Sequence, residues 1–288
     1  MNKIVNRLLI FFIGVPAFYA LVFLLPFFRH LSFNIASTLF SAIGAVEFSA
    51  MLKKKNINIS KVEAFILGSL APIAATLIVC FDFPLWIVPL LIMAGASWAL
   101  MSGIFASSKN LGNVINNIAG LFTLMIYPGF FVYWVIKLSI WEKSGVIFLF
   151  LLIVFFNDAT AWLFGNLFGK NNRGIIPASP NKSIAGYAGG LLVSVIIPAG
   201  AAYFFPSIFT AGNENTFNSV LGPAIVLGLF TGIFGSLGDL VESAIKRSCD
   251  FKDSGRLMSG RGGILDSLDS IVFAAPVFFM FYSIFFHK

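Results

Sequence analysis

The sequence predicts an all-α, polytopic integral membrane protein with about nine transmembrane helices. Three observations carry that expectation. Of the 288 residues, 58% are hydrophobic and 11% charged, against about 25% charged in a typical soluble domain. The apolar residues gather into long stretches of the length that crosses a bilayer core, roughly 20 residues each. Lysine and arginine fall almost entirely into alternate connections between those stretches.

The nine stretches run over 8–28, 31–52, 62–81, 84–106, 112–136, 145–168, 184–205, 220–245 and 264–286. Most are bounded by charge, proline or Asn/Gly clusters. Helices are expected because a lone segment in lipid must satisfy its own backbone hydrogen bonds. The alternating segments of about ten residues that mark a membrane barrel are absent. The first stretch follows a basic start, Lys3 to Arg7, and superficially resembles a signal peptide. It is longer than a signal core and lacks a small-residue cleavage site, so it reads as an uncleaved helix. With the N-terminus in the cytoplasm, fifteen of the nineteen Lys and Arg residues lie on the cytoplasmic side. Arg29, Lys137, Lys143 and Lys288 lie opposite, which predicts N-in, C-out. The organisation expected is one membrane-embedded unit without a soluble domain. Residues 1–140 hold helices one to five, and residues 141–288 hold helices six to nine, where the chemistry gathers.

The net charge is +7, but the basic residues are scattered in short loops. That suits topology control, anionic ligands and lipid headgroups, and argues against a nucleic-acid surface. Cys80 and Cys249 fall in different segments with no metal or disulfide spacing. The outer loop from Pro206 to Ser219 is polar, with Glu214 its only charge.

Acidic groups within membrane helices are costly and default to function. Glu47, Asp158, Asp239, Glu242, Asp266 and Asp269 lie within or at the ends of apolar stretches. The predicted topology puts all six near the cytoplasmic face, where they share one site if helices two, six, eight and nine pack together. Asp239, Glu242 and Lys246 recur at i, i+3 and i+7, and Asp266 and Asp269 at i, i+3, so each set shares a helix face. Two carboxylate faces at one depth suit a hard cation such as Mg²⁺, which takes oxygen ligands and substrate phosphates. A buried ion-pair network is the alternative. Glu47 is equally placed to pair with Lys53 to Lys55.

Two cytoplasmic connections frame these faces. Lys252 to Gly263 is rich in glycine and basic residues and runs into the start of helix nine. Glycine N–H groups and a helix N-terminus attract phosphate, although a basic loop lying on an anionic leaflet has the same composition. Gly169 to Ser183 ends in Ser179-Pro180-Asn181-Lys182-Ser183. Lys182 at the start of helix seven is unfavourable for the helix dipole unless an anion sits beside it. It can also be a plain interfacial lysine. Gly186, Gly189 and Gly190 allow a second helix to come close.

Several segments in the second half of the chain carry a family resemblance. Ser243-Ala244-Ile245-Lys246-Arg247, Lys252-Asp253 and Ser259 to Asp269 resemble, with matching spacing, the signature of the phosphatidate cytidylyltransferases, or CDP-diacylglycerol synthases. Asn157-Asp158-Ala159-Thr160-Ala161 is similar to that family's Asp-rich helix, and Ser179 to Ser183 to its Ser-Pro-Lys-Lys-Thr loop. Gly238-Asp239 with Glu242 looks like its Gly-Asp helix, and Glu47-Phe48 extends the likeness into the first half. Two departures stand out. Ser259-Gly260-Arg261-Gly262-Gly263 replaces Pro-Gly-His-Gly-Gly, and Ser267 stands where an arginine is common. Arginine keeps a donor and a fixed positive charge but removes a proton carrier.

The resemblance implies transfer of CMP from CTP to phosphatidic acid, giving CDP-diacylglycerol and pyrophosphate, at a multi-pass site in the inner membrane facing the cytoplasm. It implies Mg²⁺, with a second cation as an option, held by Asp239, Asp266 and Asp158. Asp269 is expected nearby. Lys246, Lys252, Ser179, Lys182, Arg247 and Arg261 are expected on phosphates, with Asp253, Gly262 and Gly263 in the substrate loop. It also allows a homodimer among membrane lipids. Two rivals remain open: a CTP-dependent polyprenol or phytol kinase, and an ion-coupled transporter using the same acids.

Overall fold

The structure, a computed structural model, describes residues 14, 16–105, 111–209, 217–255, 257, 258 and 262–287. Among these residues the protein is helical, with no strand beyond two isolated bridges, Arg173 with Ser183 and Met258 with Gly262. The long helices are α1 (Phe27–Leu52), α2 (Lys61–Phe81), α3 (Ile87–Met101), α4 (Val114–Leu124), α5 (Phe131–Lys137), α6 (Ser144–Phe168), α7 (Ile184–Phe204), α8 (Phe217–Ser248) and α9 (Leu265–Phe286). Among the described residues eight spans are long and apolar enough to cross a bilayer, α4 and α5 together forming one of them. They correspond to the second to ninth stretches of the sequence. Of the first stretch, 8–28, residues 8–13 and 15 lie outside the described residues.

Local chemistry explains the main departures from simple helices. Between α4 and α5 the chain widens into a π-helical turn, Met125–Phe130, around Pro128, which has no N–H to give to a regular ladder. The start of α1 is irregular because Phe28, Arg29 and His30 take positive φ of 50°, 53° and 61°. The N-terminus of α2 is closed by a capping box: the Ser60 side chain accepts from Glu63 N–H, and Glu63 accepts from Ser60 N–H. At 32 residues α8 is the longest element. At 1.5 Å per residue it is roughly 48 Å long, well beyond the ~30 Å of a hydrocarbon core.

The chain folds into two compact units: 1–142 with 246–268, and 143–245 with 269–288. The later boundaries fall inside α8 and α9, and the loop 249–264 groups with the N-terminal helices. In the first unit α1 and α2 meet over small residues. A Cβ at Gly68 would collide with Ala45, and the Ser41 hydroxyl lies within hydrogen-bonding distance of the carbonyls of Gly68 and Pro128. Arg29 gathers the expected outer side of this unit, donating to Asp82, Glu142 and the carbonyl of Val79.

In the second unit α6 packs on α7 along the glycines singled out in the sequence. A Cβ at Gly186 would meet the carbonyl of Ala161, and one at Gly190 would meet Asn157. Asn157, 1% exposed, donates to the Gly232 carbonyl and the Ser236 hydroxyl of α8 at 3.1 Å each. Gly238 in the same way admits the backbone of Asp269. Gly190→Val should therefore overpack the α6–α7 seam and cost about 1–3 kcal/mol. Thermal unfolding in detergent should show a lowered midpoint, and Gly200→Ala, with open space around its Cβ, should not.

Candidate active site

The second unit holds one group of charged residues. Ser183 caps α7 by accepting the Gly186 N–H at 3.1 Å, which fixes the end of the 169–183 loop. Just before it, a turn closes with the Lys182 N–H donating to the carbonyl of Ser179 at 3.1 Å. This turn points the Lys182 ammonium at Asp239 on α8, and the two form an ion pair. An anion thus sits beside the lysine, as the dipole argument requires. The Lys182 ammonium also lies 5.8 Å from the centroid of the Tyr187 ring.

A cavity of about 320 Å³ opens here, lined by Asp158, Arg173, Lys182, Tyr187, Ser236 and Asp239 among others. Arg173 is braced on α6 by donating to the Gly165 carbonyl at 2.8 Å and to Asn166 at 3.3 Å. Asp158 accepts from the Ser270 hydroxyl at 3.2 Å. Asp269 is 8% exposed, accepts the Ser270 N–H at 2.7 Å, and feels the charges of Asp239, Glu242 and Asp158. The structure therefore brings together Asp158, Asp239, Glu242, Asp269 and Lys182. The i, i+3 carboxylate pattern of α8 and the Asp-rich segment of α6 both contribute.

The first unit holds a further charged group besides Arg29 and its partners. The end of α8 is a Schellman turn, with Phe251 N–H on the Lys246 carbonyl, Asp250 N–H on that of Arg247, and Asp250 at φ 62°. It turns the chain so that the 251–263 loop folds back over Lys246. The Lys246 ammonium then meets Asp266 at 2.5 Å. Both side chains are largely covered, at 12% and 7% exposure. The other Asp266 oxygen accepts the N–H of Ser254 at 2.8 Å, its hydroxyl at 2.9 Å and the N–H of Gly263 at 2.7 Å. Gly262 takes φ 111°, a conformation that favours glycine, and pairs its N–H and carbonyl with Met258.

Glu47, 8% exposed on α1, reaches this loop rather than Lys53 to Lys55, which are exposed. It accepts from Ile264 N–H at 3.1 Å, from Leu265 N–H at 3.0 Å, and lies 3.2 Å from the Ser254 hydroxyl. The amides at the start of α9, read from sequence as a phosphate cradle, are here taken by the protein's own carboxylates. Arg247, Lys252 and Asp253 are exposed around this group. Arg261 lies outside the described residues. The partners of Glu47 are more than 200 positions away, so no local spacing signals them.

Among the described residues no three His, Cys, Asp or Glu side chains converge closely enough to hold a metal unaided. Mg²⁺ commonly needs only one or two carboxylates, completed by water and substrate phosphates. Asp158 and Asp239, on the wall of one cavity, supply hard oxygen donors of that kind. Asp266 has both oxygens engaged, and a metal there would have to displace Lys246 or the loop donors.

Described spans apolar enough to cross a membrane, carrying paired acids and bases, define a polytopic membrane protein. A profile of the Cytidylyltransferase family matches residues 5–285, and the protein belongs to that family. The chain is similar to the phosphatidate cytidylyltransferase of Staphylococcus aureus (strain COL), at 44% identity over 126 residues, 44% of each chain. It is 40% identical over 126 residues to that of Staphylococcus haemolyticus (strain JCSC1435), again 44% of each chain. Identity to that of Bacillus subtilis (strain 168) is 33% over 170 residues, 58% of this chain and 59% of that one. The chain thus spans about half the length of the relatives it matches.

Removing one member of a buried ion pair leaves the other uncompensated, at a cost of about 3–5 kcal/mol. Lys246→Met should show a loss of that order in equilibrium unfolding. Adding Asp266→Asn to it should cost less than the sum of the two single changes, because the interaction is already gone.

Proposed function

We propose that the protein transfers CMP from CTP to phosphatidic acid, forming CDP-diacylglycerol and pyrophosphate. The observation that supports this reading is that Lys246, Asp266 and Gly263, spaced in the sequence as in the signature of the phosphatidate cytidylyltransferases, meet at the Asp266 carboxylate.

In the proposed reaction a phosphate oxygen of the lipid attacks the α-phosphorus of CTP. The new P–O bond forms as the bond to the β-phosphate oxygen breaks, and pyrophosphate leaves with that electron pair. The attacking oxygen is already ionised near neutral pH, so no strong general base is required, and the arginine at 261 in place of histidine removes no essential proton carrier. Catalysis of this kind is positioning and charge neutralisation. Lys182 and Arg173 present positive charge to the cavity in the second unit. Lys246, with Arg247, Lys252 and Arg261, provides it at the Gly-rich loop, where Asp253 is also assigned. Ser179 sets the turn that aims Lys182. The proposed Mg²⁺ ligands are Asp158 and Asp239 at the cavity; Asp266 is assigned to a second cation, once a loop donor has yielded. Asp269 would act from within the acidic group around Asp239. Mg²⁺, when bound, would neutralise charge on the phosphates.

The same reading places the protein in the inner membrane with its N-terminus and its site on the cytoplasmic side. There CTP arrives from water and the lipid from the leaflet.

The test is turnover by purified protein in detergent with phosphatidic acid, Mg²⁺ and CTP labelled at the α-phosphate. Label should enter the lipid fraction as pyrophosphate is released. Asp239→Asn should reduce the rate by about 100-fold or more, and a chelator should abolish it reversibly. Absence of label in lipid would sink the reading. Transfer from γ-labelled CTP to a polyprenol would replace it with a lipid kinase.

A further inference from the structure

Glu47 is an acid at one end of a contact that spans more than 200 positions, and the transfer reaction as derived gives it no task. It sits on α1, buried, with its two oxygens opposite the first N–H groups of α9: Oε1 to Ile264 at 3.1 Å and Oε2 to Leu265 at 3.0 Å. Oε2 also lies 3.2 Å from the Ser254 hydroxyl. That hydroxyl stands 2.9 Å from Asp266 Oδ2 and accepts the Asp266 N–H at 3.3 Å. A serine has one hydroxyl hydrogen, so it serves one carboxylate at a time. Ser254 is thus a shared bridge between Glu47 and Asp266.

The surroundings are cut to fit this carboxylate. A Cβ on Gly255 would collide with Glu47 Oε1, and a Cβ on Gly263 would collide with Glu47 Oε2 and the Ser254 hydroxyl. A fixed negative charge at a helix N-terminus is favourable and also occupies the donors that an anion would otherwise use.

We propose that Glu47 is a positioning residue for the transfer reaction: it clamps the start of α9 and the Ser254 turn, and so sets the geometry of the Asp266–Lys246 pair. The inference rests on the reading that this pair serves the transfer. It assigns no chemical step to Glu47 and no contact with either substrate.

Glu47→Gln keeps size and shape but turns one oxygen into an N–H₂ facing a backbone or hydroxyl donor. In folded, monodisperse protein, kcat should fall at least about tenfold. KM for CTP and for phosphatidic acid should stay within about twofold, the signature of misplacement rather than lost binding. Gly255→Ala, which pushes on Glu47 without altering its chemistry, should do the same. Ser254→Ala should lower kcat, and the Glu47→Gln, Ser254→Ala double variant should be little worse than the more impaired single one. Hydrogen exchange of the peptide covering residues 263–267 should be slow in the wild type and accelerated by Glu47→Gln.

Independent, multiplicative losses in the double variant would overturn the bridge. Unchanged kcat in folded Glu47→Gln would overturn the positioning role. Should Glu47→Gln fail to fold, Gly255→Ala decides by the same split between kcat and KM. Wild-type protein without turnover would refute the transfer reading itself. The exchange measurement would then still report whether Glu47 clamps the helix.

Discussion

A charge placed where water is scarce must bring its own partners, and the polar interior of this protein is arranged around that constraint. Asp266 receives Lys246 and the loop amides, Glu47 receives the start of α9, and Asp239 receives Lys182, each from a distant part of the chain or from a loop folded back onto it. Such pairing is only possible where backbones come close. The glycines at 68, 186, 190 and 238 provide that closeness, and the polar side chains stitch across the gaps they leave. In lipid, where apolar packing gains little from leaving one greasy surface for another, small residues and internal hydrogen bonds carry the association.

The two charged groups illustrate different uses of one chemistry. Around Lys246 and Asp266 the arrangement is closed, with donors and acceptors matched by a loop that folds back over them. Around Asp158 and Asp239 it is open, with a cavity bordered by acids, a lysine, an arginine and a phenol. A closed group stabilises a loop; an open one leaves room for a ligand. Belonging to the Cytidylyltransferase family gives both groups a common context, since the reaction proposed moves highly charged phosphates at the edge of a bilayer.

Much of the fold was legible in the sequence because its main determinant is composition read over windows of helical length. The helical class and the positions of eight of the nine stretches follow from that alone. So does the meaning of Gly186 and Gly190, since a glycine run in an apolar helix has few other uses. The lysine at the start of α7 even announced its need for an anion. What the sequence did not show is pairing at long range. Glu47 lies close in sequence to three lysines, yet its hydrogen bonds run to the loop and helix start more than 200 positions on. Its partners are selected by the packing of α1 against the loop before α9, and no periodicity records that. For the same reason the Gly-rich loop reads as a phosphate cradle. Glycine next to a helix N-terminus signals available amides, but only the fold reveals that Gly263, Ile264 and Leu265 donate theirs to carboxylates of the same chain. The widened turn at Pro128 and the overlong α8 were hidden more simply, because an apolar window measures where a helix is and not how regular it is or where it ends.

The fit of the Glu47 carboxylate between Gly255 and Gly263 has a consequence for how the sequence can drift. As long as a glutamate occupies position 47, no side chain can be accommodated at either glycine without a shift of the neighbouring atoms. A lineage that shortened residue 47 would vacate the space beside Gly255 and release it, whereas Gly263 would still be held by the Ser254 hydroxyl. Neither glycine could be exchanged first without cost. Gly255 is therefore bound to the fate of residue 47, more than 200 positions away, and Gly263 to the fates of residues 47 and 254 together.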